Sequence, residues 1–189
     1  MTEAENIKHM RKGKISWRLL GENFVFQDGD SYYKMPTFLA RNTMYRNTGS
    51  FQKVNQSIEI IKKYFWPLTK IPKTEVFCDE TCHYVIKQEK IEGEKLTRKM
   101  LEENPQLLSK FKRLIIANEL MWKKEGVFLD LLGSDIVSHP QTIHNLLSDG
   151  KDIYVFDFWL LESKSKNIFF RYFSHFGQKI QLYFIRLFF

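Results

Sequence analysis

Residues 142–158, TIHNLLSDGKDIYVFDF, constrain the fold more tightly than any other stretch of the chain. An alternating run over 142–147 meets a turn over 148–152 that contains Asp149-Gly150, and a second run over 153–158 returns from it. Branched and aromatic residues flanking Asp-Gly specify a β-hairpin, because Gly tolerates the positive φ that such tight turns demand. Two polar residues interrupt the pattern. Asn145 stands in the strand entering the turn and Asp157 at the end of the strand leaving it, so both fall at the open end of the hairpin. There they have two readings. Each can cap backbone at a strand end, or a carboxylate and an amide oxygen can face one hard cation such as magnesium carrying substrate phosphates.

The rest of the chain supplies a core large enough to hold such a hairpin. The sequence has 189 residues, 43% of them hydrophobic, and 17 are Phe, which suits one domain or two small lobes rather than a disordered chain. Residues 15–20, 24–26 and 31–35 read as three short strands, with turns at 21–23 and 28–30. Lys34 is the charged member of the third, and Pro36 closes it. Residues 51–65 form a helix whose stripe is Val54, Ile58, Ile61 and Phe65. Glu59 lies beside that stripe, and it is the only acidic residue from 35 to 74. It can pair with Lys62 or Lys63 on its own helix, or reach a lysine on a sheet the helix packs against.

Residues 71–78 and 82–89 read as a strand pair, with 79–81 as the turn and Cys78 and Cys82 as its flanks. No further cysteine or nearby His pair completes a zinc site. Asn104-Pro105 starts a long amphipathic helix carrying Leu107, Leu108, Phe111, Leu114, Ile115, Asn118 and Met121 on one face, and Gly126 ends it. Asp130 follows closely, and Asp135 stands five residues beyond it.

In this order the features resemble the protein-kinase-like superfamily, in the reduced form of aminoglycoside phosphotransferases and lipopolysaccharide kinases. The resemblance covers residues 13–162 and rests on the succession of strand Lys34, helix Glu59, hinge Gly93, loop Asp130, hairpin Asn145 and strand-end Asp157. It implies an α+β, two-lobed fold. Residues 13–92 would form an N-lobe of five antiparallel strands and one helix, and 93–162 a reduced helical C-lobe with catalytic loop and metal hairpin; residues 163–189 would add a basic aromatic helix. By the same resemblance Lys34 holds the phosphates of ATP and Glu59 orients Lys34. Gly21 is what remains of the glycine-rich loop, and Glu89, Ile91 and Gly93 line the adenine-binding hinge. Asp130 steers the acceptor hydroxyl, and Asn145 and Asp157 bind Mg2+.

The chain departs from the family's pattern at several points. The second metal motif is Asp157-Phe158-Trp159, without its glycine, and Phe128 and Leu129 replace the His-Arg that precedes the catalytic Asp. No A-P-E element follows. The metal Asn should stand five residues after Asp130, where Asp135 is found; Asn145 requires a ten-residue insertion. Asp135 and Asn145 are therefore alternatives for that role, and the hairpin favours Asn145. The expected activity is ATP- and magnesium-dependent transfer to a hydroxyl on a small molecule, sugar or lipid-linked acceptor. The rival is a pseudokinase scaffold that keeps nucleotide affinity or a membrane association.

Charge and hydropathy set the remaining expectations. The net charge of +7 suits nucleotide phosphates, nucleic acid or an anionic membrane surface. Nucleic acid is the poorest fit, because the aromatics near the basic residues 53–73 sit in apolar patterns. No run of 18 apolar residues and no secretory signal appear, so the expected location is cytoplasmic, with a peripheral membrane contact open. That contact would use residues 168–189, which hold nine aromatics, no acids and the cations Arg171, Lys179 and Arg186. The same helix can instead cover the helical lobe.

Overall fold

The computed structural model describes residues 23–36, 50–78, 84–133, 139–158, 160–162 and 168–188. Among them are nine strands and four helices, an α+β protein with small antiparallel sheets. Chain contacts divide it into two compact units, Met1–Gln56 with Pro72–Lys90, and Ser57–Ile71 with Ile91–Phe189. Several expectations fall outside the described residues: the first strand at 15–20, Gly21, the turn at 79–81 with Cys82, Asp135 and Trp159.

In the first unit the strands are β1 (Asn23–Asp28), β2 (Ser31–Pro36), β3 (Thr74–Cys78) and β4 (Tyr84–Glu89). They form one antiparallel sheet in the order β1-β2-β4-β3. A two-residue turn at Gly29-Asp30 sets the β1–β2 register, Asp28 pairing Ser31 and Phe24 pairing Met35. Alternation then puts Phe26, Met35 and Val85 into one cluster, with Tyr33 and Phe77 packed against it and the Phe26 and Tyr33 rings stacked 5.3 Å apart. Lys34 is buried in β2, flanked by Val25 and Ile86 on the neighbouring strands. Cys78 is an exposed free thiol at the end of β3.

Helix α1 (Ser50–Phe65) begins in the first unit and continues into the second. Its predicted stripe is the buried one: Val54, Ile58, Ile61 and Phe65 are all buried, the last two completely. Glu59 lies on the solvated side, where its carboxylate accepts from Lys62 Nζ at 2.9 Å. Both side chains are largely exposed, so the pair contributes about 0–1 kcal/mol.

The second unit is built around a helix. After β5 (Glu94–Thr97) a short helix, α2 (Arg98–Glu103), is capped by the Thr97 hydroxyl, which accepts from the Met100 N–H. Helix α3 (Pro105–Glu125) follows at once. The Asn104 Oδ1 accepts from the N–H groups of Gln106 and Leu107, both at 3.1 Å, and Pro105 occupies the first helical position, where its missing N–H costs nothing. At the other end the Gly126 N–H returns to the Trp122 carbonyl. Leu107, Phe111, Leu114 and Met121 are buried along one face, each contributing about 1.5–3 kcal/mol of apolar transfer.

Two small sheets accompany α3. One pairs β5 with β7 (Thr142–Ser148) and β7 with β8 (Ile153–Val155). The other pairs β6 (Val127–Leu129) with β9 (Leu160–Glu162). The C-terminal helix α4 (Ile168–Phe188) belongs to this unit and packs on it. Gly177 stands at the contact with Phe128 and Leu161, while Gln181 and Ile185 are buried. No described helix is long and apolar enough to cross a membrane.

Candidate functional site

The hairpin forms as expected, but β7 runs one residue further than a turn over 148–152 allows: Ser148 pairs with Ile153 and Leu146 with Val155. Its turn is tied down by its own polar groups. Asp149 Oδ1 accepts from the N–H groups of Lys151 and Asp152 at 2.9 and 2.7 Å, and the Tyr154 hydroxyl donates to Oδ2 at 2.8 Å. Burial pushes the Asp149 carboxyl up, but these donors outweigh it and bring it down to about 2. Asp152 is held by Lys110 and Lys70 at 2.6 and 2.7 Å, and the Asn104 amide donates to the Gly150 carbonyl, joining the turn to the start of α3.

One expectation about the open end is corrected. Strand β8 stops at Val155, so Asp157 lies in the segment after it and not at the end of a strand. The reason lies in β7. Upstream of Leu146 its amides turn to a different partner, His144 N–H donating to the Leu132 carbonyl (3.1 Å) and Asn145 N–H to the Leu131 carbonyl (3.3 Å). The hairpin ladder gives way there to contacts with the segment after β6.

That exchange brings the loop carboxylate to the hairpin. Asp130 follows β6 directly, and β6 pairs residue for residue with β9, Leu129 opposite Leu160. Asp130 and Asp157 thus lie just beyond the same end of one strand pair. Asn145 Nδ2 donates to the Asp130 backbone carbonyl at 2.7 Å. The Asp130 side chain turns back on its own loop, Oδ1 accepting from the Gly133 N–H at 3.0 Å. Burial pushes the Asp130 carboxyl up; the Gly133 N–H works against that, and the negative charge of Asp157 adds to it. Gly133 has φ +74°, and a Cβ on it would come within 3.0 Å of His144 Cβ and 3.1 Å of Asn145 Oδ1. A larger residue there would press on the amide that holds the cluster together.

The surroundings of this cluster were not identifiable as site components beforehand. Asn118, on the apolar face of α3, is buried and clamps β6, its Nδ2 donating to the Leu129 carbonyl and its Oδ1 accepting from the Leu129 N–H, both at 2.9 Å. From α4 the buried Gln181 Oε1 accepts from the Leu131 N–H at 2.7 Å. Asp130 is thereby held by amides on both sides of it in sequence. Lys95 Nζ lies 2.9 Å from His144 Nδ1, and the His139 ring meets that of His144 edge-on. A polar residue on an otherwise apolar helical face was the one sequence signal for Asn118. Gln181 gave none beyond its place in an aromatic helix.

The other predicted site residues are placed as follows. Gly93 precedes β5, where a Cβ would stand 2.7 Å from the Ser148 carbonyl oxygen, so close backbone approach to β7 requires glycine. Glu89 is exposed at the end of β4, Ile91 half-buried, Lys34 buried in β2 and Glu59 exposed on α1. The structure gathers Asp130, Asn145 and Asp157.

The donor chemistry of that trio fits a hard cation. With the Asn145 nitrogen committed to the Asp130 carbonyl, the amide oxygen is the end that can serve as a ligand, and the charge of Asp157 beside Asp130 adds to the demand for a positive charge there. Among the described residues no group of three or more His, Cys, Asp and Glu is placed to hold a metal. A cation here would therefore lean on phosphate and water oxygens as well, as magnesium commonly does. Comparison of the chain with protein-family models, with curated proteins and with solved structures finds no match.

Proposed function

We propose that this chain is an ATP- and magnesium-dependent phosphotransferase acting on a hydroxyl acceptor, a small molecule, sugar or lipid-linked compound, on a reduced kinase-like two-lobed fold. The observation that carries this reading is the 2.7 Å bond from the Asn145 amide to the Asp130 carbonyl, in a cluster that also contains Asp157. It supports Asn145 over Asp135 as the metal Asn, since the hairpin amide is bonded directly to the backbone of the residue that carries the loop carboxylate.

In this reading Asn145 Oδ1 and the Asp157 carboxylate hold magnesium. Magnesium-ATP supplies the transferable phosphoryl group and the positive charge that offsets its oxygens. Asp130 accepts the hydrogen bond of the acceptor hydroxyl and aims its oxygen. A carboxylate pushed up by burial holds that proton better than an exposed one. Its setting favours positioning, which together with charge stabilisation is most of what phosphoryl transfer asks of a protein. Lys34, Glu59, Gly21, Glu89 and Ile91 take their parts in this proposal by resemblance alone.

A thermal-shift titration with ATP, with and without magnesium, on wild type and Asp157→Ala tests it. A ligand bound only by the folded state adds about 2.7 kcal/mol at a hundredfold excess over its Kd. The expected result is a magnesium-dependent shift that Asp157→Ala abolishes. A shift indifferent to magnesium supports the nucleotide-binding pseudokinase instead, and no shift at millimolar ATP ends the enzyme reading.

A further inference from the structure

Helix α4 has two faces with opposite fates. Gly177, Gln178, Gln181 and Ile185 face the body of the unit, Gln181 holding the Leu131 N–H and Ile185 buried. Tyr172, Phe176, Tyr183 and Leu187 fall within about 60° of arc on the other side, at 3.6 residues per turn. These four side chains are 57–69% exposed. Lys179 and Arg186 are exposed on the flank of the same arc, and Ile168–Phe188 contains no acidic residue. Packing on the fold and contact with a membrane, alternatives when only the sequence is considered, thus use different sides of one helix.

We propose that this outer face of α4 seats the protein on the surface of an anionic phospholipid bilayer, with the helix in the plane of the interface. Several large apolar side chains on one arc of a helix, in water, mark an interaction surface. Its chemistry selects the partner. Tyrosine is at home at the headgroup level, and phenylalanine and leucine can enter the acyl boundary. Two cations beside them, with no acid on the helix, complement anionic headgroups, and the chain's charge of +7 adds to the attraction. No described helix can cross the bilayer, so the contact is peripheral. The inner face keeps the helix attached through Gln181, on the segment that follows β6. The proposal stands apart from the phosphotransferase reading, since lipid binding needs neither nucleotide nor metal.

Co-sedimentation with vesicles of phosphatidylcholine, with and without phosphatidylglycerol, tests it on the full chain. The expected result is partition onto the anionic vesicles only, weakening as salt is raised. At about fivefold per cation, Lys179→Gln with Arg186→Gln lowers the partition coefficient about 25-fold. Phe176→Ser with Tyr183→Ser also weakens it, while the melting temperature stays at the wild-type value because these side chains face water. Should a variant misfold, the lipid and salt dependence of the wild type decides alone. Equal binding to both vesicle types, or none to either, overturns the proposal. So does a concentration-dependent dimer, seen by sedimentation velocity and broken by Phe176→Ser, in a protein that ignores vesicles.

Discussion

Gly133 is the position where fold and proposed chemistry meet, and Gly133→Ala separates their contributions. At φ +74° any L side chain takes a left-handed backbone that costs about 1–2 kcal/mol. The new Cβ would also stand 3.0 Å from His144 Cβ and 3.1 Å from Asn145 Oδ1, closer than ordinary contact. Neither neighbour is the end of a long flexible side chain, so relief requires the backbone of β7 or the Asn145 amide to move. Overpacking of that kind costs about 1–3 kcal/mol, for a total of about 2–5 kcal/mol. Gly150 supplies the control. Its φ is +86°, and a Cβ there meets nothing within 4 Å, so Gly150→Ala carries the backbone cost alone. Urea unfolding of both variants should therefore show Gly133→Ala the less stable by about 1–3 kcal/mol. The magnesium-dependent ATP shift should survive in Gly150→Ala and disappear in Gly133→Ala, because the displaced amide is the proposed ligand. Equal stability losses would refute the steric argument. A magnesium-dependent shift retained by folded Gly133→Ala would refute the assignment of Asn145.

Two further substitutions address the groups that hold the loop. Asn118→Ala strands the buried Leu129 N–H and removes one of two amide donors from the Leu129 carbonyl, Gln181 remaining at 3.3 Å. The expected loss is about 2–4 kcal/mol by urea unfolding, and a change no larger than the ±0.5 kcal/mol of an ordinary surface substitution would contradict the clamp. Asp130→Asn should abolish transfer yet stabilise the protein at neutral pH. Because burial raises the folded-state pKa of this acid, its favourable contribution is complete below the unfolded carboxylate value and is lost as pH rises through the folded one. The advantage of the Asn variant, followed by unfolding across pH, therefore fades in acid; a variant less stable than wild type at neutral pH would overturn that sign.

What could be foreseen from the residues was whatever a few neighbouring side chains decide. Helix α3 announced both its ends, through Asn104-Pro105 and Gly126, because capping is settled within four residues. The stripe of α1 and the existence of the hairpin followed from periods of 3.6 and 2 for the same reason. Strands β6 and β9, three residues each, are too short to show a period, and their pairing is decided across more than thirty residues of chain. Helix α2 has no sequence signal beyond its Thr97 cap, since six residues carry no complete amphipathic pattern. Glu59 shows how two local readings can compete: expected beside the stripe, it lies on the solvated side, where its carboxylate accepts from Lys62 of its own helix.

The candidate site divides along the same line. Asn145 and Asp157 stood out as polar interruptions of a hairpin, but the segment joining Asn145 to Asp130 spans fifteen residues, and nothing in its composition specifies the bond. The two meanings first open for Asn145, backbone partner and cation ligand, call on different ends of one amide. Its nitrogen satisfies the Asp130 carbonyl, a structural role, and this fixes the direction in which its oxygen can act. A backbone bond that orients a ligand oxygen is how a site is preorganised. In this chain the structural role of Asn145 is therefore a condition of its proposed chemistry and not a competitor to it. The amides of Asn118 and Gln181, which satisfy the backbone at Leu129 and Leu131, extend the same logic to the residues on either side of Asp130.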